Sequence, residues 1–492
     1  MEIEKHYDLD VDGVRATVLI EHKPSEFVPL YTLSSPSVEP ATQAVLDAVK
    51  EKLITELDLR PAEVIDPAEV RVLKKKFLAR SQDLIKAEIP GLSKEKLETL
   101  AGLLTHHSLG LGVLEVMLQD PRLEEIVVNG AKQPVWVYHR QMGWLKTNVV
   151  IATDAEIYNY AASIGRRVGS QITYLNPLMD AYLPSGDRSN ATLFPISSSG
   201  NTLTIRKFAS RPWTITDFLE SSTISYEIAA FLWLAIQYEM NMIISGGTAS
   251  GKTSLLNVIA CFIPPTHRIL SIEDTREIQL PQFLHWVPLT TRPSNPEGKG
   301  EVTMLELMIN TLRMRPDRIL VGEIRRSREA EVLFEAIHTG HSVYSTLHAN
   351  TAQETVRRLT NPPIDIPPTL LSSLQIVVAM HRDRRRDVRR VFQVAELLAR
   401  DGGTAIDVST VFGWNPSTDK LVEMKRSVRV LEEIKFYTGM TDDDIKQDLD
   451  EKASILKWMV KQQIKDVNKV GEVVSRYYTD KAELLRAIRR GG

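Results

Sequence analysis

Apolar residues spaced by three and four, alternating with short apolar or alternating runs, divide the 492-residue chain into segments of different character. Val14 to Ile20 and Phe27 to Tyr31 read as strand-like pieces, interrupted and followed by Pro24, Pro29, Pro36 and Pro40. Ala41 to Leu57 and Val70 to Ala87 then carry helical spacing with Lys and Glu between the apolar positions. Residues 1–103 therefore form a mixed, mostly helical N-terminal region. A helix is expected from about Leu104 through Val113 to Gln119, stopping near Asp120-Pro121. Paired strands follow at Ile126–Val128 and Pro134–His139 around the turn Asn129-Gly130, then a helix over Asp154–Val168. Asp180–Arg188, Ala191–Ile196 and Leu203–Phe208 suggest an antiparallel sheet, which makes residues 104–208 an α+β domain.

Ala209 to Thr214 has the composition of a linker, and beyond it the pattern changes. Within 215–400 the short apolar strands Met242–Ser245, Ile269–Glu273, Ile319–Gly322 and Ser342–Ser345 are separated by helical or loop segments. That alternation builds an α/β, mostly parallel, doubly wound sheet. Two further strands, Leu374–Met380 and Arg390–Glu396, flank an arginine-rich turn. In 401–492, Asp407–Glu423 reads as strand and the rest as an extension of amphipathic helices. One of these is capped by Thr441 with Asp444 and the last by Asp480 with Glu483.

Composition narrows the picture only in places. A net charge of −3 gives no global electrostatic reason to expect nucleic acid. The single cysteine, Cys261, excludes an internal disulfide and any multi-cysteine zinc site, and fits a reducing compartment. The acidic start lacks a signal-peptide profile, and the strongest apolar run, Phe231–Ile236, meets Gln237 and Glu239 long before the ~20 residues a membrane span needs. The expectation is a cytoplasmic protein, at most peripheral to a membrane.

The chemistry centres on Gly246-Gly-Thr-Ala-Ser-Gly251-Lys252-Thr253, which follows a buried strand and opens a helix. Glycines let backbone N–H groups curl around a polyphosphate, Lys252 reaches the β- and γ-phosphates, and the Thr253 hydroxyl serves Mg²⁺. Gly246, Gly247, Thr248, Ala249, Ser250, Gly251, Lys252, Thr253 and Ser254 are thus the expected ATP-binding positions. A second strand must bring in carboxylates, and Ile319-Leu-Val-Gly-Glu323 does so, with Gly322 where a Walker B strand usually has Asp. Glu323 would hold Mg²⁺ through water and Thr253, which makes Thr253 and Glu323 the expected metal residues. Ile272-Glu-Asp-Thr-Arg-Glu277 puts three carboxylates at a strand exit, the ligand edge of a parallel sheet, where an acid can orient or deprotonate water. The fourth piece is Thr339-Gly-His341 with Ser345-Thr-Leu-His348-Ala-Asn350, in which His348 ends a strand and is placed to sense the γ-phosphate.

In this order the four pieces resemble the Walker A, Asp box, Walker B and His box of the type II/type IV secretion ATPase family. The resemblance covers about residues 104–398 and includes Thr204–Phe208 and Arg313–Arg325. It implies a RecA-like P-loop ATPase core. It also implies Glu277 as general base, Glu323 at Mg²⁺ and His348 coupling nucleotide state to domain position. Arg188 and Arg206 match family arginines that enter a nucleotide site and neutralise γ-phosphate charge. The missing tetracysteine module, the C-terminal helices and the wording of Gly186–Pro195 and Asn201–Phe208 look most like the archaeal branch. There the resemblance implies a homohexamer driving an archaellum or a type IV-like pilus through a polytopic membrane platform protein.

The competing reading is a conjugation-type or nucleic-acid translocating ATPase, against which no aromatic-basic stacking pattern is found, so nucleic acid is not expected as a partner. A GTPase lacks its Asn-Lys-x-Asp motif here. Arg382, Arg384, Arg385, Arg386, Arg389 and Arg390 crowd one hairpin, either as a solvated turn or as a docking surface for an acidic platform loop or anionic lipid.

Overall fold

The computed structural model describes residues 2–490 apart from 57–66, 184–185, 209–210, 295–297 and 387. The chain divides into two compact units, Met1–Ser210 with Asn295–Glu297, and Arg211–Ser294 with Gly298–Gly492.

The first unit begins β1 (Glu2–Val11), β2 (Val14–His22), β3 (Leu30–Ser34), α1 (Pro40–Glu56), α2 (Pro67–Glu88) and α3 (Lys94–Leu109). It continues α4 (Leu114–Gln119), β4 (Leu123–Val128), β5 (Pro134–His139), β6 (Gly143–Val150), α5 (Asp154–Arg167), β7 (Leu178–Tyr182), β8 (Arg188–Thr192) and β9 (Thr202–Arg206). All nine strands form one sheet, ordered β1-β2-β3-β6-β5-β4-β9-β8-β7, so the strands of the first hundred residues and those of the α+β segment share a single layer. Every pairing is antiparallel except β3 with β6. Strand β1 was not expected, although Asp12-Gly13 joins it to β2. These two residues sit at φ 55° and 84°, the left-handed pair that a two-residue hairpin demands. Alternate residues Val14, Ala16, Val18 and Ile20 are buried, the period of a sheet with one face in a core.

One expectation fails here. The helix expected across Leu104–Gln119 is two helices, because Gly112 takes φ 56° and the Glu115 carboxylate accepts the Leu111 N–H at 3.1 Å, turning the chain between them. A side chain at Gly112 would also meet the Tyr160 hydroxyl at 2.5 Å.

The second unit runs α6 (Ile215–Glu220), α7 (Tyr226–Gln237), β10 (Met242–Gly246), α8 (Lys252–Ala260), β11 (Ile269–Glu273), β12 (Trp286–Thr290), α9 (Met304–Thr311) and β13 (Arg318–Val321). Next come α10 (Ser327–His338), β14 (Ser342–Leu347), α11 (Ala352–Thr360), α12 (Pro368–Leu371), β15 (Ile376–Asp383), β16 (Val388–Arg400), β17 (Ala405–Asn415) and β18 (Lys420–Glu423). The helices α13 (Arg429–Thr438), α14 (Asp442–Lys461), α15 (Val467–Thr479) and α16 (Lys481–Arg490) close it.

Its sheet is ordered β12-β11-β13-β14-β10-β15-β16-β17-β18. The first six of these strands are parallel, and the last three continue antiparallel. This is the mostly parallel α/β sheet expected of the alternating pattern, and the RecA-like core that the resemblance implies, with β17 and β18 extending it. Strand β12 was not expected because Pro288 interrupts it, and it is tolerated because β12 is an edge strand. Successive residues of the inner strands point to opposite layers. Met242, Ile244, Leu320, Tyr344, Ile376 and Val378 pack with α7, α8 and the C-terminal helices. Ile243, Ile319, Val321, Val343 and Val377 pack with α9 to α12. Both faces are covered, which is why these strands read as continuous apolar runs.

The run Phe231–Ile236 lies in α7 and is wholly buried, with the Trp233 ring stacked on Phe262 at 4.9 Å. Its apolar surround reflects a core helix sandwiched between sheet and C-terminal helices. Among the described residues, no helix is long and apolar enough to cross a membrane.

Candidate functional site

Parallel strands deliver their C-terminal ends to one edge, and here four neighbours in the order β11, β13, β14, β10 bring Glu273, Glu323, His348 and the phosphate loop there together. The loop is shaped by its glycines. Gly246 takes φ 153°, and a Cβ there would run into the Ser250 hydroxyl and stand 2.7 Å from the Met380 carbonyl oxygen. Gly251 takes φ 93° as the N-cap of α8, so Lys252, Thr253 and Ser254 form the first turn of a nine-residue helix whose N–H groups face the loop. Lys252 is 8% exposed, and its ammonium donates to the Gly247 carbonyl at 3.0 Å. The Ser250 hydroxyl donates to the same carbonyl at 2.8 Å.

Glu323 follows β13 and is held in place through its backbone neighbours. The Gly322 N–H donates to the Ile272 carbonyl at 2.8 Å, the Thr346 hydroxyl donates to the Gly322 carbonyl at 2.6 Å, and the Ile324 N–H donates to the Thr346 carbonyl at 3.0 Å. Its carboxylate meets His348 Nε2 at 3.1 Å on one oxygen and the Arg325 guanidinium at 2.7 and 3.0 Å on the other. Arg325 spans onward to Asp274 at 2.7 Å. The other ring nitrogen of His348, Nδ1, lies 3.3 Å from the Lys252 ammonium. Burial and the Lys252 charge hold the His348 pKa below the ordinary imidazole value. A ring held so favours the neutral form, accepts from Lys252 at Nδ1 and turns Nε2 toward Glu323.

The Asp-box segment is clamped at both ends. One Glu273 oxygen accepts the Glu277 and Ile278 N–H groups at 2.9 and 3.0 Å, and the Gln279 N–H donates to Asn257 of α8 at 2.8 Å. Glu277 is half-buried between these anchors. Burial lowers the Lys252 pKa, while the charges of Glu323 and Glu277 pull it back up, so Glu277 acts on the phosphate-loop lysine. Glu273 itself is 2% exposed, and burial pushes its carboxyl up to about 7.

Four of the expected positions, Lys252, Glu277, Glu323 and His348, thus converge on one edge. Arg188 and Arg206 belong to the first unit, not to the fold that carries the phosphate loop. They face each other in the β8–β9 ladder, with Arg188 paired to both Asp180 oxygens at 2.9 and 2.6 Å. The charge of Arg206 bears on Glu125, its partner on β4. Sequence reasoning counted Glu273 and Asp274 only among the three carboxylates of the strand exit and Arg325 only as the end of the Walker B stretch, giving none of them a role of its own. Each lies within four residues of one it did single out, but the signal that separates them is burial and pairing, which a motif does not carry.

The donor set fits Mg²⁺. Thr253 in the first turn of α8 and Glu323 after β13 offer hard oxygens. That is the pattern of an ion held by one or two protein oxygens together with substrate phosphates.

Residues 110–437 match the family model described as type II/IV secretion system protein. An uncharacterized protein of Methanocaldococcus jannaschii is 37% identical over 398 residues, 79% of this chain and 71% of that protein. The conjugal transfer protein TrbB of Rhizobium radiobacter is 32% identical over 289 residues, 57% of this chain and 86% of that protein. Among solved structures, the Legionella pneumophila ATPase DotB aligns with a TM-score of 0.42 at 19% identity, covering 76% of this chain and 94% of that one. Since the family model spans well over half of the sequence, the chain belongs to the type II/IV secretion system protein family.

Proposed function

We propose that this secretion ATPase works as a hexameric motor that hydrolyses MgATP to drive the assembly or rotation of an archaeal surface filament, an archaellum or a type IV-like pilus, through a membrane platform protein. The observation that carries the ATPase part is the run of close polar contacts Lys252–His348–Glu323, at 3.3 and 3.1 Å, which ties the phosphate loop to the carboxylate edge. A bound γ-phosphate meets Lys252 and displaces its contacts with the Gly247 carbonyl and His348, so the path reports nucleotide state to β13 and β14. Glu277 takes a proton from water as the oxygen attacks the γ-phosphorus. The bond to the β,γ-bridging oxygen breaks, leaving ADP, phosphate and the proton. Mg²⁺ at Thr253 and Glu323 supplies neutralising charge to the phosphates when bound.

The archaeal reading is supported by the M. jannaschii relative, whose match extends over 79% of the chain. Arg384 and Arg385, exposed at the hairpin tip, are the part of the arginine run left for anionic lipid or an acidic platform loop. The TrbB likeness favours a second reading, transport of the conjugation type. The two separate in one assay. A filament motor shows turnover per subunit that rises with protein concentration as rings form and that ignores added single-stranded DNA. A conjugation motor is stimulated by that DNA, with a steep salt dependence. In the same series, Arg188→Ala and Arg206→Ala lower turnover by roughly 10³-fold if they neutralise γ-phosphate charge. Unchanged rates in both would remove that role.

A further inference from the structure

The six arginines of the β15–β16 hairpin are separated by what they touch. Arg390 is 6% exposed and committed to Asp419 at 2.9 and 2.8 Å and to the Ser221 carbonyl at 3.0 Å. Arg386 pairs with Asp383 at 2.7 Å and lies over the Trp414 ring at 5.6 Å. Arg389 turns instead to the phosphate loop. Its Nε donates to the Ala249 carbonyl at 3.2 Å, and a Cβ at Gly251 would stand 3.6 Å from its Cδ. Ala249 is the loop residue at φ 58°.

This contact bears on the ligand for two reasons. In a planar trans peptide the carbonyl and the following N–H point opposite ways, so holding the Ala249 oxygen sets the direction of the Ser250 N–H. That N–H has only a long 3.4 Å bond to the Gly247 carbonyl, which a phosphate oxygen would readily replace. The second reason is position. In the sheet order β14-β10-β15-β16, His348 and Glu323 approach the loop from the β14 side and Arg389 from the β16 side. The reacting end of a bound triphosphate lies toward Glu323 and Glu277, so a charge on the opposite flank meets the phosphates that are not transferred.

We propose that Arg389 is a nucleotide-binding residue whose guanidinium grips the non-transferred phosphates while bracing the Ala249 peptide. The inference rests on reading the loop as the nucleotide site. Because those phosphates are present in both ATP and ADP, Arg389 contributes binding that is equal before and after hydrolysis. It therefore sets affinity and leaves the chemical step alone.

The experiment compares the wild-type 492-residue chain with Arg389→Lys, Arg389→Gln and Arg389→Ala. It uses MgADP titration calorimetry, steady-state ATP kinetics and thermal unfolding midpoints to confirm folding. Loss of a charged hydrogen bond predicts that the Gln and Ala variants raise the ADP Kd and the ATP KM together by about tenfold to a hundredfold. Their kcat stays near wild type, and Lys restores most of the affinity. Gln keeps an N–H for the Ala249 carbonyl but no charge, so a Gln variant that binds ADP like wild type would reduce Arg389 to a loop brace and overturn the proposal. A fall in kcat at unchanged KM would overturn it too. Wild-type protein that binds no ADP overturns the nucleotide site itself, a result distinct from either.

Discussion

His348 Nε2 stands 3.1 Å from one Glu323 oxygen, and the Arg325 guanidinium donates to the other at 2.7 Å. The carboxylate proposed for Mg²⁺ is thus oriented from both sides, and its orientation depends on a ring that also touches Lys252. Removing an orienting partner of such a carboxylate typically costs 10- to 100-fold in activity, so His348→Ala should lower ATP turnover by roughly that factor. Nucleotide affinity should change much less, because the loop and Lys252 remain. Rapid-quench turnover beside equilibrium binding of a fluorescent ATP analogue checks this. Equal losses in both would place His348 in binding and not in coupling.

Glu273 predicts a pH dependence of stability. Burial raises its carboxyl from 4.5 to about 7 in the folded protein, so the native state keeps a proton that the unfolded chain releases. Its stabilising contribution is full below pH ~4.5 and is lost as pH climbs through ~7. Nucleotide-free wild type should therefore lose up to about 3 kcal/mol relative to Glu273→Gln between pH 4.5 and 8. Urea unfolding midpoints of both proteins across that range measure it. A difference that does not vary with pH contradicts a buried, protonated Glu273.

The parts of the site legible in the sequence were those whose residue types are dictated by backbone geometry. Gly246 and Gly251 need positive φ, and short apolar strands separated by helices imply a sheet buried on both faces. What stayed hidden depends on distance along the chain. Nothing local distinguishes Glu273, sealed under the Glu277 loop, from Asp274 beside it, nor Arg389 on the phosphate loop from Arg384 at the hairpin tip. Strand β12 was masked by Pro288, a signal against strands that fails at sheet edges. Strand β1 was passed over as polar, although Ile3, Tyr7, Leu9 and Val11 alternate up to an Asp-Gly turn.

The C-terminal helices carry a buried ion cluster. Lys452 is fully buried, bonds Asp448, and donates to the Tyr477 hydroxyl at 2.9 Å, with Lys481 3.3 Å from the same carboxylate. Removing Lys452 leaves the buried Asp448 carboxylate with Tyr477 and the more exposed Lys481 as its partners, so Lys452→Ala should cost about 3 kcal/mol. Replacing both, as Asp448→Leu with Lys452→Met, should cost clearly less. Denaturant unfolding of the two variants decides it, and a double variant as unstable as the single one contradicts the account.

The measurement closest to the central claim pairs MgATP binding with single-turnover hydrolysis for wild type, Lys252→Ala and Glu277→Gln. Wild type should bind and hydrolyse, and Lys252→Ala should do neither. Glu277→Gln should bind MgATP as tightly as wild type while hydrolysing it about 10²- to 10⁴-fold more slowly. Full hydrolysis by Glu277→Gln, or turnover by Lys252→Ala, would contradict the roles given to these two residues at the edge of the parallel sheet.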